Sequence, residues 1–236
     1  MNLKIKEKEL IFFLMIIPFF PLYSLEMLGD LNSGFSIAFL IRRLLSVGRW
    51  GLSAFAFAYF LRKKIELGIV TRSFILFSAM RILASVCNGH FAIGILIGNV
   101  TYIGFAILVE ILIKKNENAF LDSNRILFTI LVGIGILTVI IMPNGFNNSV
   151  NKADAIYFLG SKNSGFYYYV ACVFFIALNA IIRKKKYLKS VSVICILSIL
   201  ASILTSSANT LIAFLILLCY FVSLYFIRNN KLIKPK

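Results

Sequence analysis

The chain has 236 residues, of which 60% are hydrophobic and only 14% charged. A water-soluble domain carries nearly twice that charged fraction, so the composition excludes an ordinary soluble fold and points to an integral membrane protein. Lys and Arg number 25 against 9 acids, but they cluster at the ends of apolar runs and form no basic face interleaved with aromatics. That arrangement speaks for membrane orientation and against nucleic acid.

A helix crosses the bilayer core with about 20 apolar residues. By that measure the sequence predicts an all-α, polytopic transmembrane bundle forming a single integral membrane domain over 1–236. Its eight spans lie near 10–28, 36–61, 73–88, 93–113, 125–142, 166–182, 188–204 and 208–227. The N-terminal run has the basic start and apolar core of a signal peptide. It has no small-x-small cleavage site, so it reads as an uncleaved first span. The second span is long and holds Arg42, Arg43 and Arg49, so it reads as an outer interfacial piece followed by the span proper. "TSSAN" makes a tight hairpin between the last two spans. The four cysteines sit within or at the ends of apolar runs, without CxxC or metal-type spacing, and read as small hydrophobic side chains.

Basic residues set the orientation. With the N-terminus cytoplasmic, 19 of the 25 fall on the inside, only Lys152 and Lys162 fall outside, and Arg42, Arg43, Arg49 and Arg81 lie within spans. The positive-inside rule then places both termini in the cytoplasm and the 143–165 loop outside.

Arginine inside a span is costly unless it snorkels, pairs or meets a wet cavity. Arg42 and Arg43 fall near the outer interface, and Arg49 and Arg81 in the outer halves of neighbouring spans. Arg42 and Arg49, seven apart, share a helix face. Glu110 lies toward the inner end of its span with Lys114 as an i,i+4 partner. The outer half therefore has a cationic excess, and guanidinium groups suit phosphate or pyrophosphate. Snorkelling to lipid head groups is the competing reading for Arg42 and Arg43. The expected cavity is lined by Arg49 and Arg81, with Lys162 at its rim.

The outer loop opens with turn chemistry in "PNGFNN". "DAIYFLG" reads as a short interfacial helix starting at Asp154. Lys162 and Asn163 come where the sixth span begins, and Tyr167, Tyr168 and Tyr169 read as an interfacial aromatic belt.

Two elements together, "FLGSKNS" opening a span and a span hairpin turning at "LTSSANTLIAFLILL", resemble the O-antigen and capsular polysaccharide polymerase and ligase family. The resemblance covers about residues 10 to 227. Gly160, Lys162 and Asn163 match the family's outer-loop motif. Thr205, Ser206, Ser207 and Asn209 match its Ser-rich turn, without the basic residue often found there. The resemblance implies a multi-pass protein of the bacterial plasma membrane acting on undecaprenyl-pyrophosphate-linked oligosaccharides. Family members continue through further spans and a large basic outer loop, so the chain is expected to correspond to the N-terminal part of a full-length member.

The implied reaction joins lipid-pyrophosphate-linked repeat units, as a membrane glycosyltransferase does. It needs cations for the leaving pyrophosphate and a base for the acceptor proton. Arg42, Arg49, Arg81, Lys162 and Asn163 are the candidate binding residues. Asp154 and His90, the sole histidine, are the candidate bases, beside Glu26 and Asp30. With no carboxylate cluster, neither a metal nor another cofactor is expected. The expected partners are the lipid-linked oligosaccharide, membrane lipids and other polysaccharide-synthesis proteins. Two alternatives stand beside the polymerase: a non-catalytic accessory or remnant protein of a polysaccharide-synthesis complex, and a lipid-linked oligosaccharide transporter. The transporter reading lacks the internal repeat symmetry that such folds carry.

Overall fold

The computed structural model describes residues 7–22, 25, 36–90, 92–147, 155–183, 188–208, 211–217 and 219–220. Among them the fold is all-α apart from one small hairpin. In chain order the elements are α1 (Glu7–Phe19), α2 (Ile37–Lys63), α3 (Ile69–Cys87), α4 (Ile93–Ile141), β1 (Ile156–Tyr157), β2 (Gly160–Ser161), α5 (Lys162–Arg183) and α6 (Leu188–Leu204). Three helices, α2, α3 and α4, are long and apolar enough to cross a membrane, and α5 and α6 carry shorter apolar stretches. Half of the expected eighth span, 208–227, lies outside the described residues.

Two compact units divide the chain, Met1–Phe20 with Asp30–Ser123 and Pro21–Gly29 with Asn124–Lys236, the boundary falling within α4. In the first unit α1 packs on α2, where Gly48 meets Ile17. Ser36 caps α2 by accepting the Phe39 N–H at 3.0 Å. The helix ends at Lys64, which adopts the left-handed conformation (φ 47°). At the end of α3, Gly89 (φ 68°) lets the His90 N–H reach the Ser85 carbonyl and its own N–H reach Val86, closing the last turn. α2 approaches α4 closely: a Cβ on Gly104 would lie 2.8 Å from Ser53 Cα.

α4 departs from the sequence expectation. Spans were expected at 93–113 and 125–142 with a polar inner loop between them. Two helices instead meet at a kink at Asn116 (φ −160°, ψ 88°), with no extended loop between them. Asn116 behaves as the N-cap of the second half: its Oδ1 accepts the Ala119 N–H at 3.0 Å. The polar stretch is rich in Lys, Glu, Ala and Leu, which favour helix once the break is capped.

The first expected span is also shorter than 10–28. α1 ends at Phe19, because Pro18 and Pro21 remove two N–H donors where the helix would continue.

In the second unit the C-terminal half of α4 buries Leu127, Phe128, Leu131, Val132, Ile136 and Val139 on one stripe at helical spacing. Phe128 stacks on Phe175 of α5 at 5.3 Å, and α5 packs on α6. Polar side chains in these apolar helices satisfy themselves on their own carbonyls: Thr129 on Arg125, Ser202 on Ser198 and Thr205 on Ala201.

Candidate functional site

The expected outer element is built around a hairpin. The expected interfacial helix over "DAIYFLG" is not formed by its described residues. β1 and β2 pair antiparallel, Ile156 with Ser161 and Tyr157 with Gly160, around a turn at Phe158 and Leu159. The physical reason is a period of two: Ala155, Tyr157 and Leu159 are buried while Ile156 and Phe158 are half-buried. Gly160 supplies a backbone with φ 101° that other residues rarely adopt.

Several contacts hold the hairpin in place. Leu159 packs into the notch left by Gly135, where a Cβ would lie 2.7 Å from Leu159 Cγ. Tyr157 clusters with Val139 and Ala155, and its hydroxyl donates to the Pro143 carbonyl at 2.9 Å. Burial pushes the Tyr157 phenol above its ordinary range, which keeps it neutral and a donor. The turn after α4 closes the structure: the Phe146 N–H bonds the Ile156 carbonyl at 2.7 Å, and the Ile156 N–H bonds Asn147 Oδ1 at 3.1 Å. Gly145 (φ 73°) makes that approach possible, since a Cβ there would lie 2.7 Å from the Ile156 nitrogen.

Lys162 and Asn163 follow directly and form the first turn of α5. The Ser164 hydroxyl bonds the Ser161 carbonyl at 3.1 Å across this junction. The side chains of Lys162 and Asn163 lie outside the described residues, as do Asp154 and Asn209.

The arginines of the first unit have different surroundings. Arg42 is exposed, and its carbonyl accepts the Ser46 hydroxyl. Arg43 is exposed with its guanidinium 5.0 Å over the Phe39 ring. Arg49 is half-buried and turned toward the end of α1. Its Nε donates to the Ile17 carbonyl at 3.1 Å and an Nη to the Phe20 carbonyl at 2.9 Å. The Ile17 carbonyl would ordinarily bond the nitrogen four residues on, but that residue is Pro21. A cation at this helix terminus also complements the dipole. Arg81 is exposed on α3, and His90 is exposed just beyond that helix.

Thr205 and Ser207 of the Ser-rich turn are buried, and Ser206 adopts the left-handed conformation (φ 56°). The Ser206 N–H reaches Ile203 and the Ser207 N–H reaches Ser202, closing the end of α6.

A polar cluster at the expected cytoplasmic side joins more groups than the Glu110–Lys114 pair that the sequence indicates. The expected Lys114–Glu110 ion pair is present at 3.0 Å. Glu110 also accepts the Gly68 N–H at 2.5 Å at the start of α3, and Lys114 donates to the Glu66 carbonyl. Nearby in sequence, Asn116 donates to Glu7 Oε2 at 2.8 Å, Lys115 pairs with Glu7 at 3.2 Å, and Ser123 donates to the Lys8 carbonyl at 2.7 Å. The signal for Glu110 as a cap was the uncapped "ELGIVTR" start of α3, where Gly68 brings no side chain of its own. Among the described residues no group of three His, Cys, Asp or Glu could hold a metal ion.

Comparison of the chain with protein-family models, with curated proteins and with solved structures found no match.

Proposed function

We propose that the chain is a polytopic protein of a bacterial plasma membrane, with about eight spans and both termini cytoplasmic. On the outer face it engages undecaprenyl-pyrophosphate-linked oligosaccharides, as an O-antigen or capsular polysaccharide polymerase-like protein. The supporting observation is the hairpin pinned to the end of α4, which sets Lys162 and Asn163 in the first turn of α5. A rigid platform of that kind suits the capture of an anionic head group, because little ordering remains to be done on binding.

In this reading Lys162 and Asn163, at the start of α5, supply contacts to the pyrophosphate, and Asp154 is the candidate base for the acceptor proton. Arg49, already held by the α1 carbonyls, positions the bundle rather than the phosphate. The test is binding of a fluorescent undecaprenyl-pyrophosphate oligosaccharide to the purified full chain in proteoliposomes. Pyrophosphate-dependent binding that weakens about tenfold or more in Lys162→Ala supports the reading. Binding indifferent to the pyrophosphate overturns it. Binding without any glycan elongation assigns an accessory role in place of a polymerase.

A further inference from the structure

We propose that one face of α2 is a lipid-facing surface whose depth is set by Arg43 and Arg62, which hold phospholipid phosphates in opposite leaflets. The inference does not depend on the glycan reading. Leu44, Val47, Trp50 and Leu61 recur at helical spacing on α2 and expose 76%, 62%, 52% and 70% of their surface. Only 11% of the apolar window of α2 is buried within the chain. Arg43 and Arg62 are exposed near the two ends of this same stripe. They stand 19 positions apart, or about 28 Å along a helix, close to the ~30 Å thickness of a bilayer's hydrocarbon core.

The opposite face of α2 is different. Ala38, Ser53 and Ala56 are buried there, and Arg49 turns to the carbonyls of α1. The helix thus separates Arg49, kept within the unit, from Arg43 and Arg62 at the rims of the apolar stripe. Arg43 stacks on Phe39, which sits beside it at the end of the stripe, and its long stem lets the charge reach outward to the head groups.

Charge complementarity selects the occupant. A phospholipid bilayer offers acyl chains to the middle of the stripe and phosphate to both ends. A second copy of the same stripe, parallel or antiparallel, would bring arginine against arginine at each rim.

Trp50 is the sole tryptophan of the chain and lies on this stripe, so it reports depth directly. The full chain is reconstituted in phosphatidylcholine–phosphatidylglycerol bilayers whose acyl chains carry bromine at a shallow or a deep carbon. Trp50 lies about 10 Å below Arg43, so deep bromines should quench it at least about twofold more than shallow ones. Arg43→Glu repels phosphate and should change that ratio, while Arg43→Lys should keep it. Circular dichroism of each variant verifies that the helices persist, and the measurement on the unmodified chain stands without any variant. Absence of quenching from either depth would place protein against Trp50 and overturn the lipid-facing surface. A ratio unchanged in Arg43→Glu would overturn the role of Arg43 in setting depth.

Discussion

The guanidinium of Arg49 donates to the carbonyl of Ile17 at 3.1 Å, across 32 positions of sequence, and so replaces the N–H that Pro21 lacks. A polar side chain inside an apolar helix here completes the backbone of another helix. Arg49→Ala is expected to destabilise the protein by about 1–3 kcal/mol, because it strands a carbonyl away from water. Pro21→Ala restores a backbone donor to Ile17, so the cost of Arg49→Ala should shrink in that background. Thermal unfolding in detergent across the double-mutant cycle measures this coupling. Additive effects would mean that Arg49 serves something other than the proline break.

Gly133 and Gly135 are two residues apart on α4 and make opposite predictions. A Cβ at Gly135 would lie 2.7 Å from Leu159 Cγ, whereas nothing lies within 4 Å of one at Gly133. Gly135→Ala should therefore cost about 1–3 kcal/mol by overpacking the hairpin. Gly133→Ala should be neutral or stabilising by up to about 1 kcal/mol, through lower backbone entropy in the unfolded chain. Leu159→Ala should relieve part of the Gly135→Ala penalty. Unfolding midpoints of the four variants decide it; similar values for the two alanine substitutions would place Leu159 elsewhere.

These elements also show what the sequence made legible. The bounds of α2 and the end of α3 followed from apolar runs closed by charged or turn residues, a signal that survives without tertiary knowledge. The hairpin was missed because Ala155, Tyr157 and Leu159 alternate over only five residues, and aromatic content outweighed that short period. The polar stretch between the two expected spans is helical apart from Asn116, because Lys and Glu, which hydropathy ranks with turn residues, are good helix formers. The partner of Arg49 stood in "PFFP", but finding it required asking which carbonyl each proline leaves without a donor. The surroundings of Arg42 and Arg49 diverge because seven-residue spacing gives a shared face and says nothing of where the neighbouring helix stops.

At the start of α1, the Asn116 amide and then Lys115 hold the Glu7 carboxyl below its ordinary range. A depressed carboxyl contributes stability that is present above its unfolded pKa and lost as the pH falls through the folded one. Unfolding temperature should therefore decline in acid, below the usual carboxylate range, by an increment that Glu7→Gln removes. The glutamine still accepts a hydrogen bond from Asn116, so the variant should retain helix while losing this part of the acid dependence. Thermal melts of the two proteins from neutral pH down to below the usual carboxylate range test it. Identical acid profiles would show that the contact with Lys115 and Asn116 carries no linkage.

The proposed topology can fail independently of every site assignment. Asn147 is exposed in the turn after α4, while Lys115 is exposed beside the Asn116 break. The basic asymmetry, 19 residues against 2, puts the first outside and the second in the cytoplasm. On a background with Cys87, Cys172, Cys195 and Cys219 replaced, a membrane-impermeant maleimide added to intact cells should label Asn147→Cys but not Lys115→Cys. Permeabilised cells should label both. Because the helical stretches before and after Asn116 are each long enough for one crossing, the two positions report on α4 as two spans. If both label in intact cells, the C-terminal half of α4 does not cross. If only Lys115→Cys labels, the orientation is inverted and Lys162, at the start of α5, faces the cytoplasm, which overturns the proposed engagement of a ligand on the outer face.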